Sequence, residues 1–417
     1  MFICGAGLSK PSPSNLLSAV EVSRSCFDKY KPIETLSAAL RDDIDKLAEH
    51  FFSQGQFERL FIRDLVPWER LVGEPNTGHA AIGDLLTCGA ARGVASANFD
   101  TLIEQWWSHH RVSFRASLNG QEATDYDHRP LLKFHGCMNL NREATLGTHA
   151  QLDHAKYEKA ITSCKTWMSL NLPSRDLVVV GFWTDWGYLN EVLAEALKDK
   201  NFNSVTVIDP AETAELIKKA PVLWDILSKT PHFQHLSLSG SDGLEEIRNA
   251  YSKVWVKKLY ALGKPLFDER KGECPPELLD VSEMETEALY DLRRDAEGVA
   301  HNQAAKTREP ILEAAQTALA HLLFAAKSIR VRSWYNIEGK TVRIVHGAGQ
   351  GLDTVKRRFE QAPLATQADI VVCAGSLNQG VPAYLISRGQ NNNVVRPEPG
   401  GGAEWLTLED ACARFNL

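Results

Sequence analysis

Residues 1–10, MFICGAGLSK, place an apolar run of four residues directly before the loop Gly-Ala-Gly-Leu-Ser. Gly5 and Gly7 would let backbone N–H groups approach a ligand where a Cβ atom would clash. A short strand followed by such a loop is therefore a candidate dinucleotide-binding turn. The third glycine of the G-x-G-x-x-G fingerprint is replaced by Lys10, so an ordinary turn from a strand to a helix is the alternative.

The rest of the first half of the chain alternates predicted strands with predicted helices. Four apolar runs resemble buried strands: GVASANFD (93–100), LLKFHG (131–136), DLVVVGF (176–182) and SVTVIDP (204–210). Helical patterns such as YLNEVLAEALKDK (188–200) alternate with them, and residues from about Pro11 to Trp68 form a helical insertion. This alternation predicts an α/β fold, a doubly wound parallel sheet of the Rossmann-like type with helices on both faces.

A doubly wound sheet also predicts where a ligand binds. Ligands lie beyond the carboxyl ends of the strands, at one edge of the sheet. Gly5, Asn98, His135, Gly181 and Asp209 all stand at strand ends in the predicted arrangement. The sequence therefore gathers these five residues at one edge.

The chain is long enough for more than one domain. Its 417 residues include the polar stretch GKPLFDERKGECPPELLD (263–280), which contains three prolines and changes the composition. We expect a first domain over 1–265, a linker over 266–280, and a smaller C-terminal domain of helices and α/β structure over 281–417. That domain would serve regulation or oligomerisation.

Two features of the C-terminal region have a functional and a structural interpretation. VRIVHGAGQGLD (342–353) is a second glycine loop after an apolar strand, which would bind a nucleotide signal or form a structural α/β turn. The helix ILEAAQTALAHLLFAA (311–326) has a broad apolar face, which suits an oligomer interface or an ordinary core helix.

Bulk properties exclude several classes of protein. The net charge is −7, so the chain has no basic field for direct nucleic-acid binding. No apolar run reaches the roughly 20 residues that span a bilayer, and the first residues lack a secretion signal. We expect a cytoplasmic protein without a membrane partner. The eight cysteines include no C-x-x-C pair, which argues against a zinc ribbon and favours buried thiols.

Six motifs occur in a specific order within the first two thirds of the chain. They are GAGLS (5–9), EPNTGHAAIGDLL (74–86), SANFDTLIE (96–104), LLKFHGCMN (131–139), LVVVGFWTDW (177–186), and VTVIDP (205–210) with SGSDGLEEI (239–247). This series resembles the sirtuin (SIR2) family of NAD-consuming proteins. The resemblance rests on the joint order, because each motif alone is loose.

The resemblance implies roles for individual residues. Asn98 would face the nicotinamide ribose, Asp100 the carboxamide, and His135 would be the catalytic base. The residues implied in NAD binding are Gly5, Ala6, Gly7 and Ser9 at the pyrophosphate, and Gly181, Phe182, Asp209, Ser241 and Asp242 at the adenosine end.

The chemistry of NAD cleavage fits these residue types. Breaking the bond between nicotinamide and ribose passes through a cation-like ribose, so the site needs a polar side chain to position water or hydroxyls and a base to accept a proton. Asn98 and His135 could supply these functions. The structural alternatives are a turn residue for Asn98, a helix cap for Asp100 and a hydrogen-bonded structural histidine for His135.

Other polar and aromatic residues near these motifs favour structural roles. His79 is expected to start the helix over AAIGDLL. Trp183 and Trp186 would stack on adenine or, as is more usual beside a core strand, pack in the core.

The sequence departs from the lysine-deacylating members of the family. Between the His-Gly segment and the next strand it has only Cys137 and Cys164, so the two C-x-x-C pairs of their zinc module are missing and no zinc is expected. The Phe-Gly-Glu signature of their peptide-binding segment is also missing. Loss of the peptide groove with retention of Asn98 and His135 implies NAD as the substrate and water as the acceptor.

The pattern resembles the bacterial SIR2-like effectors of antiphage defence, which deplete NAD. It implies an NAD glycohydrolase that releases nicotinamide and ADP-ribose, gated by homo-oligomer assembly or by a defence-system partner such as an ATPase or phage sensor. The alternatives are a non-hydrolytic subunit that binds NAD or ADP-ribose for a partner ATPase or nuclease, and a protein deacylase or ADP-ribosyltransferase.

Overall fold

The computed structural model describes residues 1–31, 36–112, 115–125, 130–184, 186–305, 307–360, 368–375 and 403–417. The chain divides into two compact units. Unit 1 comprises Met1–His109 and Ser113–Glu246, and unit 2 comprises His110–Val112 and Ile247–Leu417.

Unit 1 is built on a seven-stranded sheet in which every pair of neighbouring strands is parallel. The strands are β1 (Phe2–Cys4), β2 (Val94–Ser96), β3 (Ala116–Ser117), β4 (Leu131–Lys133), β5 (Asp176–Val180), β6 (Ser204–Ile208) and β7 (Phe233–Leu236). Their spatial order is β3-β4-β2-β1-β5-β6-β7. This confirms the predicted α/β fold with a Rossmann-like parallel sheet.

Strand β1 occupies the centre of this sheet. Its three residues are buried, and it pairs with β2 on one side and β5 on the other, with Ile3 opposite Ala95 and Val179. The strand order reverses between β1 and β5, so this is the topological switch point where the loops beyond the strands diverge and leave a crevice.

Helices flank the sheet of unit 1. They are α1 (Ala19–Lys29), α2 (Ile44–Ser53), α3 (Thr77–Thr87), α4 (Leu102–His109), α5 (Gly120–Asp125), α6 (Ala155–Asn171), α7 (Gly187–Leu197), α8 (Thr213–Lys219) and α9 (Pro221–Ser228). Helices α1 and α2, with a π-helix at Phe57–Leu65, form the helical segment between β1 and α3 and share an apolar cluster around Phe51 and Phe61.

Unit 2 contains a separate five-stranded mixed sheet. Its strands are β8 (Ile329–Val331), β9 (Trp334–Ile337), β10 (Lys340–His346), β11 (Ile370–Ala374) and β12 (Glu404–Thr407), in the order β12-β11-β10-β9-β8. Strands β10, β11 and β12 are parallel, whereas β8 and β9 are antiparallel. The remaining helices are α10 (Gly240–Lys271), α11 (Thr286–Ala296), α12 (Ala315–Lys327), α13 (Leu352–Glu360) and α14 (Leu408–Phe415).

The boundary between the units differs from the linker expected over 266–280. It falls between Glu246 and Ile247, and α10 continues through Pro265 to Lys271. Trp255, Leu259 and Phe267 of α10 are buried in the core of unit 2. This burial outweighs the loss of one backbone hydrogen bond at Pro265, which explains why a proline-containing stretch is helical.

The predicted apolar helix of the C-terminal region corresponds to α12. Eight of its residues, from Thr317 to Phe324, are buried, and Leu319, Leu322 and Phe324 belong to the core of unit 2. Among the residues that the structure describes, no helix combines the length and the apolar character needed to cross a membrane.

Candidate functional site

The glycine loop after β1 packs directly on the residue that follows β5. The N–H of Gly5 donates to the carbonyl of Val180 (3.2 Å), and the N–H of Gly7 donates to the carbonyl of Gly181 (2.8 Å). A Cβ atom on Gly7 would lie 2.8 Å from the Cα of Gly181, and one on Gly5 would lie 2.6 Å from the Cα of Phe182. These glycines are therefore required by backbone packing at the switch point, whatever ligand the loop binds.

The loop continues as a 3₁₀-helix, Ala6–Ser9, whose last side chain connects two strand ends. Ser9 Oγ donates to Oδ2 of Asp100 (2.8 Å) and accepts from Nδ2 of Asn98 (3.3 Å). Ser9, Asn98 and Asp100 are all buried. The structure thus brings together three of the residues to which the resemblance gives roles in the site.

His79 joins the same hydrogen-bond network. Its Nδ1 accepts from the backbone N–H of Asn76 (3.2 Å), so the neutral ring carries its proton on Nε2, which donates to Ser9 Oγ (3.1 Å). Burial lowers the pKa of His79 to about 4. His79 lies in the first turn of α3, where Asn76 caps the helix, so its structural role includes holding Ser9.

Asp100 performs two tasks in this network. Its Oδ1 accepts from the N–H of Leu102 (3.1 Å) at the start of α4, and its Oδ2 accepts from Ser9. Asp100 therefore caps helix α4, which is the structural role that the sequence analysis gave as an alternative. It also holds the glycine loop through Ser9.

Asn98 has an unused acceptor. Its Nδ2 donates to Ser9, but its Oδ1 is buried and has no hydrogen-bond partner among the described residues. A buried amide oxygen without a partner costs free energy, about 1–3 kcal/mol, unless a ligand or water satisfies it. This oxygen is therefore an acceptor that a ligand hydroxyl could satisfy at the candidate site.

The imidazole of His135 is held by both of its nitrogens. Nδ1 lies 2.8 Å from the carbonyl oxygen of Ala97, which can only accept, so Nδ1 carries the proton. Nε2 is then the acceptor for the hydroxyl of Tyr188, 3.0 Å away. Burial lowers the pKa of His135 to about 4, so the ring is neutral at pH 7. Tyr188 was not singled out from the sequence, because its place depends on the path between β5 and α7.

Aromatic side chains surround His135. Phe99 stacks on its ring with centroids 4.4 Å apart, and the Trp186 ring lies 5.5 Å away. His135 is 2% exposed, whereas Phe99 and Trp186 are partly exposed and form its cover. Trp183 is buried instead, and its Nε1 donates to the carbonyl of Leu216 (2.7 Å), as expected for a packing residue.

Sequence reasoning missed a buried ion pair beside this network. Lys133 is 2% exposed, and its Nζ contacts Oε1 of Glu104 (2.8 Å) and the backbone oxygen of Asp100. Burial alone would lower the pKa of Lys133, but Glu104 and other nearby groups, Asp100 included, raise it. The sequence did contain an indication of this pair: Lys133 stands inside the apolar strand LLKFHG, and a lysine buried in a strand needs a buried partner of opposite charge.

Three of the residues implied at the adenosine end follow the last two strands of the sheet: Asp209 comes after β6, and Ser241 and Asp242 lie in the first turn of α10, after β7. Asp209 accepts from the N–H of Ala211 (2.9 Å), and Asp242 accepts from the hydroxyl of Ser239 (2.7 Å). Ser241 bonds to the Ser239 hydroxyl (3.0 Å). Each side chain thus has a local turn or cap partner.

Three further implied residues differ in their surroundings. The ring of Phe182 is buried in the core, with Phe134 6.4 Å away. Ala6 and Gly7 are exposed in the first loop and remain accessible to a ligand.

A cavity of about 1060 Å³ is lined in part by α4. Its lining includes Glu104, Lys133, Asn119 and Asn139, together with the apolar side chain of Phe134. Neither Asn98 nor His135 lines it. This cavity therefore adjoins the candidate site through the Lys133–Glu104 pair and does not include it.

The second glycine loop begins at the end of β10. Its Gly347 N–H donates to the carbonyl of Ala374 in β11 (2.7 Å), and Ala348 and Gly349 have positive φ angles. Beside it lies a cavity of about 600 Å³ lined by His346, Asn302 and Arg358. The loop is both a turn that packs on the sheet and part of a cavity wall.

No protein-family model matches the chain, and no curated protein matches it significantly. Within the described part of the chain, no group of three or more His, Cys, Asp or Glu side chains is arranged to hold a metal ion.

Proposed function

We propose that the protein is an NAD glycohydrolase of the SIR2 type, which cleaves NAD to nicotinamide and ADP-ribose. The observation that carries this proposal is the pair formed by Asn98 and His135 at neighbouring strand ends. Asn98 has a buried amide oxygen without a partner, and His135 is a neutral imidazole whose protonated nitrogen is fixed by Ala97, the residue before Asn98. Such a pair supplies an acceptor that positions a hydroxyl and a base that takes a proton.

The surroundings of the pair support the same proposal. Both residues lie at the carboxyl edge of a parallel sheet, near the switch point between β1 and β5 where the exposed Ala6 and Gly7 begin a turn. The neutral state of His135 suits a reaction in which water attacks a cation-like ribose, because water becomes acidic as it bonds to that carbon and a weak base suffices. Nicotinamide leaves with the electron pair of the broken bond.

A second candidate function is a subunit that binds NAD or ADP-ribose without cleaving it. The closed state of the site favours this candidate, because both ring nitrogens of His135 already have protein partners. Asn98 is only 4% exposed and His135 only 2%. In a glycohydrolase, assembly or a partner would have to admit NAD to this buried pair, which agrees with the gating that the resemblance to antiphage effectors implies.

Nicotinamide release from NAD separates the two candidates. His135→Asn keeps a donor at the Nδ1 position for Ala97 but removes Nε2, and Asn98→Ala removes the unpartnered oxygen. We expect each variant to lose about 100-fold or more in turnover, the scale of lost acid–base and positioning catalysis. His149→Asn, at an exposed surface ion pair, is the matched control with unchanged activity. NAD binding without turnover in the parent, over a range of protein concentrations, would favour the binding subunit.

A further inference from the structure

The hydroxyl of Tyr188 controls access to the base nitrogen of His135. Since Nδ1 of His135 donates to Ala97, Nε2 is the acceptor, and Tyr188 Oη at 3.0 Å is its donor. The side chains of His135 and Tyr188 are both 2% exposed. In this geometry the Tyr188 hydroxyl is the group placed to deliver a proton to Nε2.

We propose that Tyr188 is a proton relay between the attacking water and His135, an inference that rests on the proposed glycohydrolase function. As the water oxygen bonds to the ribose carbon, the bond from that carbon to nicotinamide breaks and its electron pair stays on the pyridine nitrogen. The water proton passes to Tyr188 Oη while the original Tyr188 proton passes to His135 Nε2. The imidazolium then returns its proton through the Tyr188 hydroxyl to a solvent water that replaces the product, which restores the neutral ring.

The relay explains why a tyrosine suits this position. Tyr188 is the second residue of α7, and its ring stacks on Trp186 with an interplanar angle of 14°. These contacts fix the hydroxyl against His135. Burial raises the pKa of Tyr188 well above its usual range, so a tyrosinate would be costly and Oη must gain one proton as it gives up the other.

Tyr188→Phe tests the relay, because it removes the hydroxyl and keeps the ring. We expect kcat to fall about 100-fold with little change in KM, since general acid–base catalysis is commonly worth that much. Tyr157→Phe is the matched control: the Tyr157 ring is also buried in unit 1, but its hydroxyl contacts Glu58. Wild-type kcat in Tyr188→Phe would overturn the relay.

A proton inventory in mixtures of H₂O and D₂O needs no variant. Two protons in flight give a curved dependence of kcat on deuterium fraction, and we expect Tyr188→Phe to lose the curvature. A linear dependence in the wild-type enzyme would contradict the relay even if the variant failed to fold. A merely structural tyrosine would not affect this curvature.

An NMR titration of His135 without NAD separates this inference from the proposed function. The Tyr188 hydroxyl stabilises the neutral ring, so Tyr188→Phe is expected to raise the pKa of His135 and leave its proton on Nδ1. An unchanged pKa of His135 in Tyr188→Phe would show that the Tyr188–His135 hydrogen bond is not formed, and the relay would be rejected. Absence of NAD cleavage by the wild-type protein, with the pKa raised in the variant, would instead reject the glycohydrolase and the relay's chemistry while retaining the contact.

Discussion

Ser9 Oγ donates a hydrogen bond to Oδ2 of Asp100 at 2.8 Å and so fastens the glycine loop after β1 to the segment after β2. The same oxygen accepts from Asn98 and His79. One hydroxyl therefore satisfies three buried side chains. This contact explains why a serine at the end of the loop matters as much as the glycines within it.

Ser9→Ala should destabilise unit 1 and impair NAD cleavage. It leaves Asp100 Oδ2, Asn98 Nδ2 and His79 Nε2 without their shared partner, and each buried unsatisfied group costs about 1–3 kcal/mol. Urea denaturation measures the free energy of unfolding, with Ser53→Ala on the exposed end of α2 as the control. A loss no larger than that of the control would show that the network contributes nothing.

Gly181→Ala should be far more damaging than Gly55→Ala, although both glycines have positive φ angles, +57° and +66°. A Cβ on Gly55 meets nothing within 4 Å, so that variant measures backbone strain alone, about 1–2 kcal/mol. A Cβ on Gly181 also collides with Gly7 and Leu8, which adds about 1–3 kcal/mol for overpacking. Equal unfolding free energies for the two variants would contradict the close packing of the two loops.

Lys133→Met should cost about 3–5 kcal/mol, because it leaves the carboxylate of Glu104 without its buried cation. The double variant Lys133→Met with Glu104→Gln should recover part of this loss, since it removes both charges. Lys229→Met in the exposed pair with Asp225 is the control, with a change of about 0.5 kcal/mol or less. Thermal or urea unfolding checks the series. A single variant as stable as the control would mean that Lys133 is not buried.

NAD cleavage should persist in mildly acidic solution. The reaction needs neutral His135, and burial lowers its pKa to about 4, so activity should remain near its pH 7 value at pH 5.5 and be lost below about pH 4. A histidine with an ordinary pKa near 6.5 would lose most of its activity by pH 5.5. The pH dependence of kcat distinguishes the two cases, provided that circular dichroism shows the protein folded at each pH.

Stability should decline as the pH falls from about 6.5 to 4. Burial lowers the pKa of His79, His135 and His346 to about 4 and of His321 to about 3, so the unfolded chain binds protons first in this range. Each histidine can remove up to about 3 kcal/mol. His301, whose pKa burial lowers well below its usual range, acts in the same direction as a fifth histidine. Asp291, with its pKa raised by burial and neighbouring carboxylates to about 8, and Asp295, with its pKa raised by burial, oppose this with two protons against five. Calorimetric melting at pH 7.5 and 5 measures the net effect, and an unchanged melting temperature would contradict it.

The sequence by itself determined the architecture and much of the candidate edge. Apolar runs of about five residues separated by helical patterns can bury both faces only in a parallel sheet covered by helices, and that constraint places Gly5, Asn98 and His135 at one edge. Once β1 is placed at the centre of the sheet, the switch point must lie beside it, between β1 and β5.

Only the tertiary structure decided which side chains contact one another there. The partners Ser9–His79, Lys133–Glu104 and His135–Tyr188 join residues that are 70, 29 and 53 positions apart. No local pattern encodes such pairs, because their distances depend on strand order and on the exact path of each loop. The path of α10 through Pro265 has the same origin, since burial of its apolar face in unit 2 outweighs a local preference for a break.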